Sequence, residues 1–193
     1  MTRGARLTGG EAAGRHLHTL AGDGLRASSG LVRAACFNIL GELVVGAEVV
    51  DLFAGIGSLG LEALSRGARA VTFVELQPRR ARVIGSNLDS LGWTGRGRVV
   101  VGDSLSFVRS HPEDLIASGL VLLDPPYLED GPQLCLASVR LLGELAATRS
   151  GWEPVVVVEH HRELSVPDRV GALNCVRTAR YGTTHLSLYR RAP

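Results

Sequence analysis

The stretch Val49-Val50-Asp51-Leu52-Phe53-Ala54-Gly55-Ile56-Gly57-Ser58-Leu59-Gly60 restricts this chain more than any other part of it. An apolar, β-branched run turns through closely spaced glycines into a stretch with helical spacing of apolar residues. A buried strand therefore feeds a helix through a tight turn, where Gly55 and Gly57 permit positive φ and close backbone approach. Strand, turn and helix form the unit from which parallel sheets are wound, and the unit recurs downstream. The pattern predicts strands over 49–53, 70–75, 99–101, 120–124 and 154–159. It predicts helices over 58–66, 78–91, 104–109 and 133–147. Continuous apolar strands with helical crossovers imply a mostly parallel sheet covered on both faces. Residues 174–181 and 185–190 flank Gly182-Thr183-Thr184 and read as a closing antiparallel hairpin.

Upstream the character changes. Residues 1–28 are glycine-rich and basic, and strands over 6–8 and 15–19 on either side of Gly9-Gly10 suggest a small hairpin extension. Ser28-Ser29 can cap a helix over 31–43, with Leu31, Ala35, Phe37, Ile39, Leu40 and Leu43 as its buried stripe. The expected division is a basic hairpin extension over 1–28 and a larger α/β domain over 29–193. At 193 residues, 45% hydrophobic and 21% charged, the chain can build one real core. No apolar run reaches the ~18 residues of a membrane span, and the first fifteen residues have no apolar centre of a secretory signal. Cys36, Cys135 and Cys175 are widely spaced and odd in number, which suits buried filler in a reducing cytoplasm. The net charge of +2 does not by itself identify a nucleic-acid binder. All 21 basic residues are arginine, however, a side chain that grips phosphate in bidentate fashion. Arg3, Arg6, Arg15, Arg26 and Arg33 face only Glu11 and Asp23 in the first forty residues, a plausible electrostatic footprint for a nucleic acid.

The acids at the strand ends give the chemistry. Asp51 precedes the glycines, where it would repel a pyrophosphate and suit an amine. About twenty residues after the glycine turn, Val71-Thr72-Phe73-Val74 ends on Glu75, the usual place for a ribose-hydroxyl ligand. A nucleoside carrying an amino acid, S-adenosylmethionine, satisfies both. Leu120-Val121-Leu122-Leu123 then runs into Asp124-Pro125-Pro126-Tyr127. Two prolines remove N–H donors and stiffen the turn, leaving carbonyls and a carboxylate as acceptors beside a flat ring. That arrangement fits the exocyclic amine of a nucleobase. A parallel sheet with a terminal hairpin and these sites predicts the class I methyltransferase fold, Rossmann-like and seven-stranded. His160 and His161 end a strand but lack the carboxylate or cysteine spacing of a metal site, and no metal is expected. His16 and His18 alternate on a strand, where backbone or phosphate contacts are both open.

Residues 51–67, Arg33 with Cys36-Phe37-Asn38-Ile39-Leu40, Phe73-Val74-Glu75, Asn87-Leu88 and Asp124-Pro125-Pro126-Tyr127 together resemble the RsmD family of bacterial 16S ribosomal RNA guanine-N2 methyltransferases. The resemblance covers nearly the whole chain, in order. It implies that Asp51, Phe53, Ala54, Gly55 and Gly57 surround the cofactor's methionine moiety and sugar. It implies that Glu75 and Leu76 lie at the ribose, Asp103 and Ser104 at the adenine, and Asp124, Pro125, Pro126 and Tyr127 at the target base. Arg6, Arg15, Arg26 and Arg33 would meet the RNA, within a small-subunit assembly particle, the enzyme acting as a cytoplasmic monomer. One departure stands out. The family carries Arg-Pro-Thr and then an Asp-Arg pair and a Glu before the Phe37-Asn38 helix. Here Arg26-Ala27-Ser28 lacks the proline, and Gly30, Leu31 and Ala34 hold the charged positions. N6-adenine or N4-cytosine methylation, and a non-catalytic RNA-binding relative, are the alternatives the residues leave open.

Overall fold

The structure is a computed structural model and describes residues 2–20, 29–127 and 130–191. Its centre is an eight-stranded sheet in the order β5-β4-β3-β6-β7-β10-β9-β8. The strands are β3 (Glu48–Leu52), β4 (Ala70–Glu75), β5 (Gly97–Val101), β6 (Leu120–Leu123), β7 (Val155–His161), β8 (Arg169–Val170), β9 (Leu173–Tyr181) and β10 (Thr184–Arg191). From β5 to β7 all neighbours run parallel, while β10 pairs antiparallel with both β7 and β9. The expected architecture is therefore present, with one strand more than expected. β8 has two residues and pairs with β9 through Arg169 and Val170, too short to leave a periodic signal.

Strand alternation divides the core. Val49, Leu120, Leu122, Val155 and Val157 face one side, under α1 (Gly30–Leu40), α2 (Ser58–Ser65) and α3 (Pro78–Leu91). Val50, Leu52, Val121, Leu123, Val156 and Val158 face the other, under α4 (Ser104–Ser110), α5 (Pro112–Ala117) and α6 (Gly131–Thr148). Gly60 of α2 allows the close approach of that helix to the sheet. A Cβ there would lie 2.3 Å from the Phe73 ring.

α1 differs from its predicted stripe. Ser29 caps it by accepting a hydrogen bond from the Val32 amide; Ser28 lies outside the described residues. The helix stops at Leu40, and a 3₁₀ turn covers Gly41–Val44. Val32, Arg33, Cys36, Phe37 and Leu40 are the buried positions, while Leu31 and Leu43 are exposed. The buried face is thus rotated toward Arg33, a residue whose charge hides it from a hydrophobic pattern.

β1 (Thr2–Arg6) and β2 (His16–Thr19) form the N-terminal hairpin, its first strand earlier than predicted. Gly9 and Gly10 lie in the long connection, against the end of α2. The Glu11 amide donates to the Ser65 carbonyl at 2.7 Å, and the Ser65 hydroxyl to the Gly9 carbonyl at 2.6 Å. Leu7, Ala12 and Leu17 join the core under α1 to α3.

Candidate active site

Four of the parallel strands lead to an acid at the carboxyl end of the sheet, where an open α/β sheet places its ligand crevice. Asp51 lies in β3, and its Oδ2 accepts the Gly60 amide at 2.9 Å. Its Oδ1 is buried and has no hydrogen-bond partner among the described residues. Burial pushes the Asp51 carboxyl up to about 7, against the Gly60 amide, with the charge of Glu75 adding to the rise. A buried carboxylate oxygen without a donor is costly, and a ligand ammonium would satisfy it.

The loop after β3 is conformationally exacting. Phe53 has φ 64°, rare for a bulky residue, and Gly55 and Gly57 have φ 59° and 85°. Backbone outliers of this kind cluster at ligand-binding sites. The Gly55 amide donates to Glu75 Oε2 at 2.7 Å, and the Gln77 amide to Oε1 at 2.8 Å. Glu75 thus braces the glycine loop and the entry to α3. Each of its oxygens retains a lone pair for a hydroxyl. Beside it, Leu76 and Val101 leave large apolar side chains exposed. Val101 pairs with Glu75 in the β4–β5 register. Val101 was absent from the predicted site, because only its exposure at the end of β5 marks it. Asp103 caps α4 through Ser106 at 2.8 Å and is exposed; Ser104, behind it, is buried. Asp51, Phe53, Ala54, Gly55, Gly57, Glu75, Leu76, Asp103 and Ser104 all belong to the strand ends and loops of β3, β4 and β5.

Asp124 follows Leu123, the last residue of β6, and is half-buried. Pro125 is buried and Pro126 exposed. Gly131, at the start of α6, presses on this turn, and a Cβ there would lie 1.6 Å from the Pro126 carbonyl oxygen. The Tyr127 hydroxyl donates to Glu159 Oε1 at 3.2 Å, and its ring meets His161 edge-on at 6.0 Å. A shallow cleft opens between Pro125, Pro126, Tyr127, His160, His161 and Leu164. Glu159 also went unpredicted, although the sequence held a signal. It ends an apolar run as Asp51, Glu75 and Asp124 do.

The predicted arginines separate. Arg6 and Arg15 are exposed on the hairpin; Arg6 donates to His16 Nε2 and Arg15 to the Ser90 carbonyl. Arg26 lies outside the described residues. Arg33 is a correction: only 1% exposed, it cannot meet a nucleic acid. It pairs with the equally buried Glu62 at 3.1 Å and also holds the Arg6 carbonyl, tying α1, α2 and the hairpin together. His18 is held through its backbone by Asn87, which also donates to the Ile56 carbonyl of the glycine loop. Cys36 and Cys135 are buried as expected, whereas Cys175 is half-exposed near the sheet edge. His160 is buried, held off protonation by burial, and bonded to Ser187. Among the described residues no group of three metal-binding side chains converges, and no helix is long and apolar enough to cross a membrane.

The family model described as Conserved hypothetical protein 95 matches residues 5–190. The chain is 32% identical over 186 residues to YlbH of Bacillus subtilis, provisionally named an rRNA methyltransferase, across 96% of this chain and 98% of that one. It is also 32% identical over 191 residues to ribosomal RNA small subunit methyltransferase D of Escherichia coli, across 96% and 89%. The solved structure of Escherichia coli yhhF, likewise provisionally named a methyltransferase, superposes with a TM-score of 0.77 at 30% identity, over 96% of this chain and 97% of that one. A likeness that runs from the hairpin to the last strand, over a glycine turn and an acid-proline-proline turn so placed, puts this chain in the RsmD family of ribosomal RNA methyltransferases.

Proposed function

We propose that the protein transfers a methyl group from S-adenosylmethionine to the exocyclic N2 of a guanine in the 16S RNA of the small ribosomal subunit. The observation that carries this is the Asp124-Pro125-Pro126-Tyr127 turn. It lies at the end of β6, one strand from Asp51 and the glycine loop, and its two prolines offer carbonyl acceptors and no N–H of their own.

The cofactor, when bound, supplies an electrophilic methyl. Asp51 Oδ1 supports its placement, because an ammonium of the methionine moiety would give that oxygen its missing donor. The positive-φ loop at Phe53, Gly55 and Gly57 lets backbone approach that moiety, while Glu75 would take ribose hydroxyls. Leu76 and Val101 offer apolar contact to the adenine, with Asp103 at its amine.

An aromatic amine is a poor nucleophile because its lone pair is delocalised into the ring. Acceptors on its hydrogens favour a pyramidal nitrogen and free that pair. The Asp124 carboxylate and the Pro125 carbonyl fill this role, and the Tyr127 ring, anchored at its hydroxyl, stacks on the flipped base. Positioning carries most of the rate. Arg6 and Arg15 on the hairpin engage RNA phosphates. The enzyme works as a cytoplasmic monomer on a partly assembled small subunit.

Asp124→Ala is expected to abolish transfer of labelled methyl to 16S RNA while the dissociation constant for S-adenosylmethionine, read by calorimetry, stays within a few-fold of wild type. Wild-type turnover in this variant removes Asp124 from the amine site. Mapping the methylated nucleoside in RNA from wild-type and deletion strains decides between guanine N2 and the amines of adenine or cytosine.

A further inference from the structure

Glu159 has no part in the reaction described so far. It follows Val158, which pairs with Leu123 in the parallel β6–β7 register, so it lies beside Asp124 on the neighbouring strand. Alternation sets both on the sheet face that carries Leu122 and Val157, which is also the face of Asp51, two residues after Val49. Cys36 of α1 reports the same convergence: burial raises its thiol, and the charges of Glu159, Asp124 and Asp51 raise it further. Glu159 is 5% exposed, and it receives the Tyr127 hydroxyl at the edge of the base cleft. Asp124 and Glu159 thus set two acceptors side by side, a pattern that matches a base with two adjacent donors.

Guanine presents such donors. Its N1–H lies next to the N2 amine, so a base that offers N2 to Asp124 brings a second donor to the adjacent strand end. Adenine beside its own amine presents a bare N1, an acceptor, which a carboxylate repels. Building on the guanine-N2 reading above, we propose that Glu159 selects the target base by accepting the N1–H of guanine, its carboxylate steadied by the Tyr127 hydroxyl.

The test uses small-subunit RNA carrying 2-aminopurine in place of the methylated guanine. This base keeps the N2 amine, replaces N1–H by a lone pair and carries hydrogen in place of O6, so the change in preference on Glu159→Gln, not the wild-type ratio alone, reports on N1. The wild-type enzyme should favour guanine over 2-aminopurine in kcat/KM by about 100-fold or more, as expected where a buried polar group loses its partner. Glu159→Gln places an amide that can donate to the bare N1. It should narrow the preference about tenfold or more, by losing guanine activity and gaining relative activity on 2-aminopurine, with affinity for S-adenosylmethionine unchanged. Tyr127→Phe keeps the ring and should weaken the preference in the same direction. Equal wild-type rates on the two bases overturn the assignment, as does a Glu159→Gln variant that loses both activities by the same factor, the result expected if Glu159 only holds Tyr127. Wild-type methylation at an atom other than guanine N2 overturns the guanine reading itself and this assignment with it.

Discussion

Asp51 shows how one buried oxygen links stability to ligand binding. Its carboxyl is raised from an ordinary value of 3.8 to about 7 by burial. A raised acid contributes stability that is fully present below its unfolded value and is lost as pH climbs through its folded value. The fold therefore weakens between those two values. Asp51→Asn keeps an acceptor for the Gly60 amide and removes the titration. Its melting temperature should exceed that of wild type by a margin that widens from about pH 4 to about pH 7 and then levels. The same variant should lose affinity for S-adenosylmethionine. A margin independent of pH would show that Asp51 ionises freely in the folded protein.

At the level of elements, the contact among α1, α2 and the hairpin rests on Glu62. This carboxylate is fully buried and accepts from the Thr8 amide and hydroxyl, from Arg33 and from Arg66. Burial alone would raise it, but these donors hold it below the ordinary glutamate range. A depressed acid stabilises above its unfolded value and loses that contribution as pH falls through the folded one. The hairpin should thus be the first part to loosen in acid, read as faster amide exchange over 4–19 below the ordinary glutamate range. Removing Arg33 leaves Glu62 with Arg66 and Thr8 as its donors and takes the side-chain donor from the Arg6 carbonyl. Arg33→Met should cost about 1–3 kcal/mol in a urea melt, and adding Glu62→Gln should recover part of it. None of this was legible in the sequence. Arg33 and Glu62 lie in different helices, and a hydrophobic pattern reads both as solvent positions. By contrast, α3 was legible to the residue, because Pro78 opens it and Gly92, with φ 74°, ends it.

For the whole molecule, the winding of the sheet was readable because each strand is an apolar run and each crossover carries its own start signals. Asp51, Glu75 and Asp124 could be picked out as acids that break such runs at their carboxyl ends. Glu159 obeys the same rule, but no glycine turn or proline pair follows it to mark it as part of a site. β8 was invisible because two residues have no period. Outside the site, the surface that meets RNA is a property of the molecule's charge. Arg6→Ala combined with Arg15→Ala should raise KM for small-subunit RNA and leave kcat near wild type. The slope of log affinity against log salt should fall by about 1.5–2 if both residues contact phosphate. An unchanged slope would place the phosphate contacts elsewhere.

Asn87 bonds both the hairpin, at His18, and the glycine loop, at Ile56. One side chain therefore joins the N-terminal hairpin to the glycine loop. Ordering either segment should favour order in the other. Addition of S-adenosylhomocysteine is then expected to slow amide exchange in β2 as well as at residues 53–57, and Asn87→Ala should confine the slowing to the loop. Slowing in β2 that Asn87→Ala removes would show that occupancy of the glycine loop is communicated to the hairpin through this one side chain.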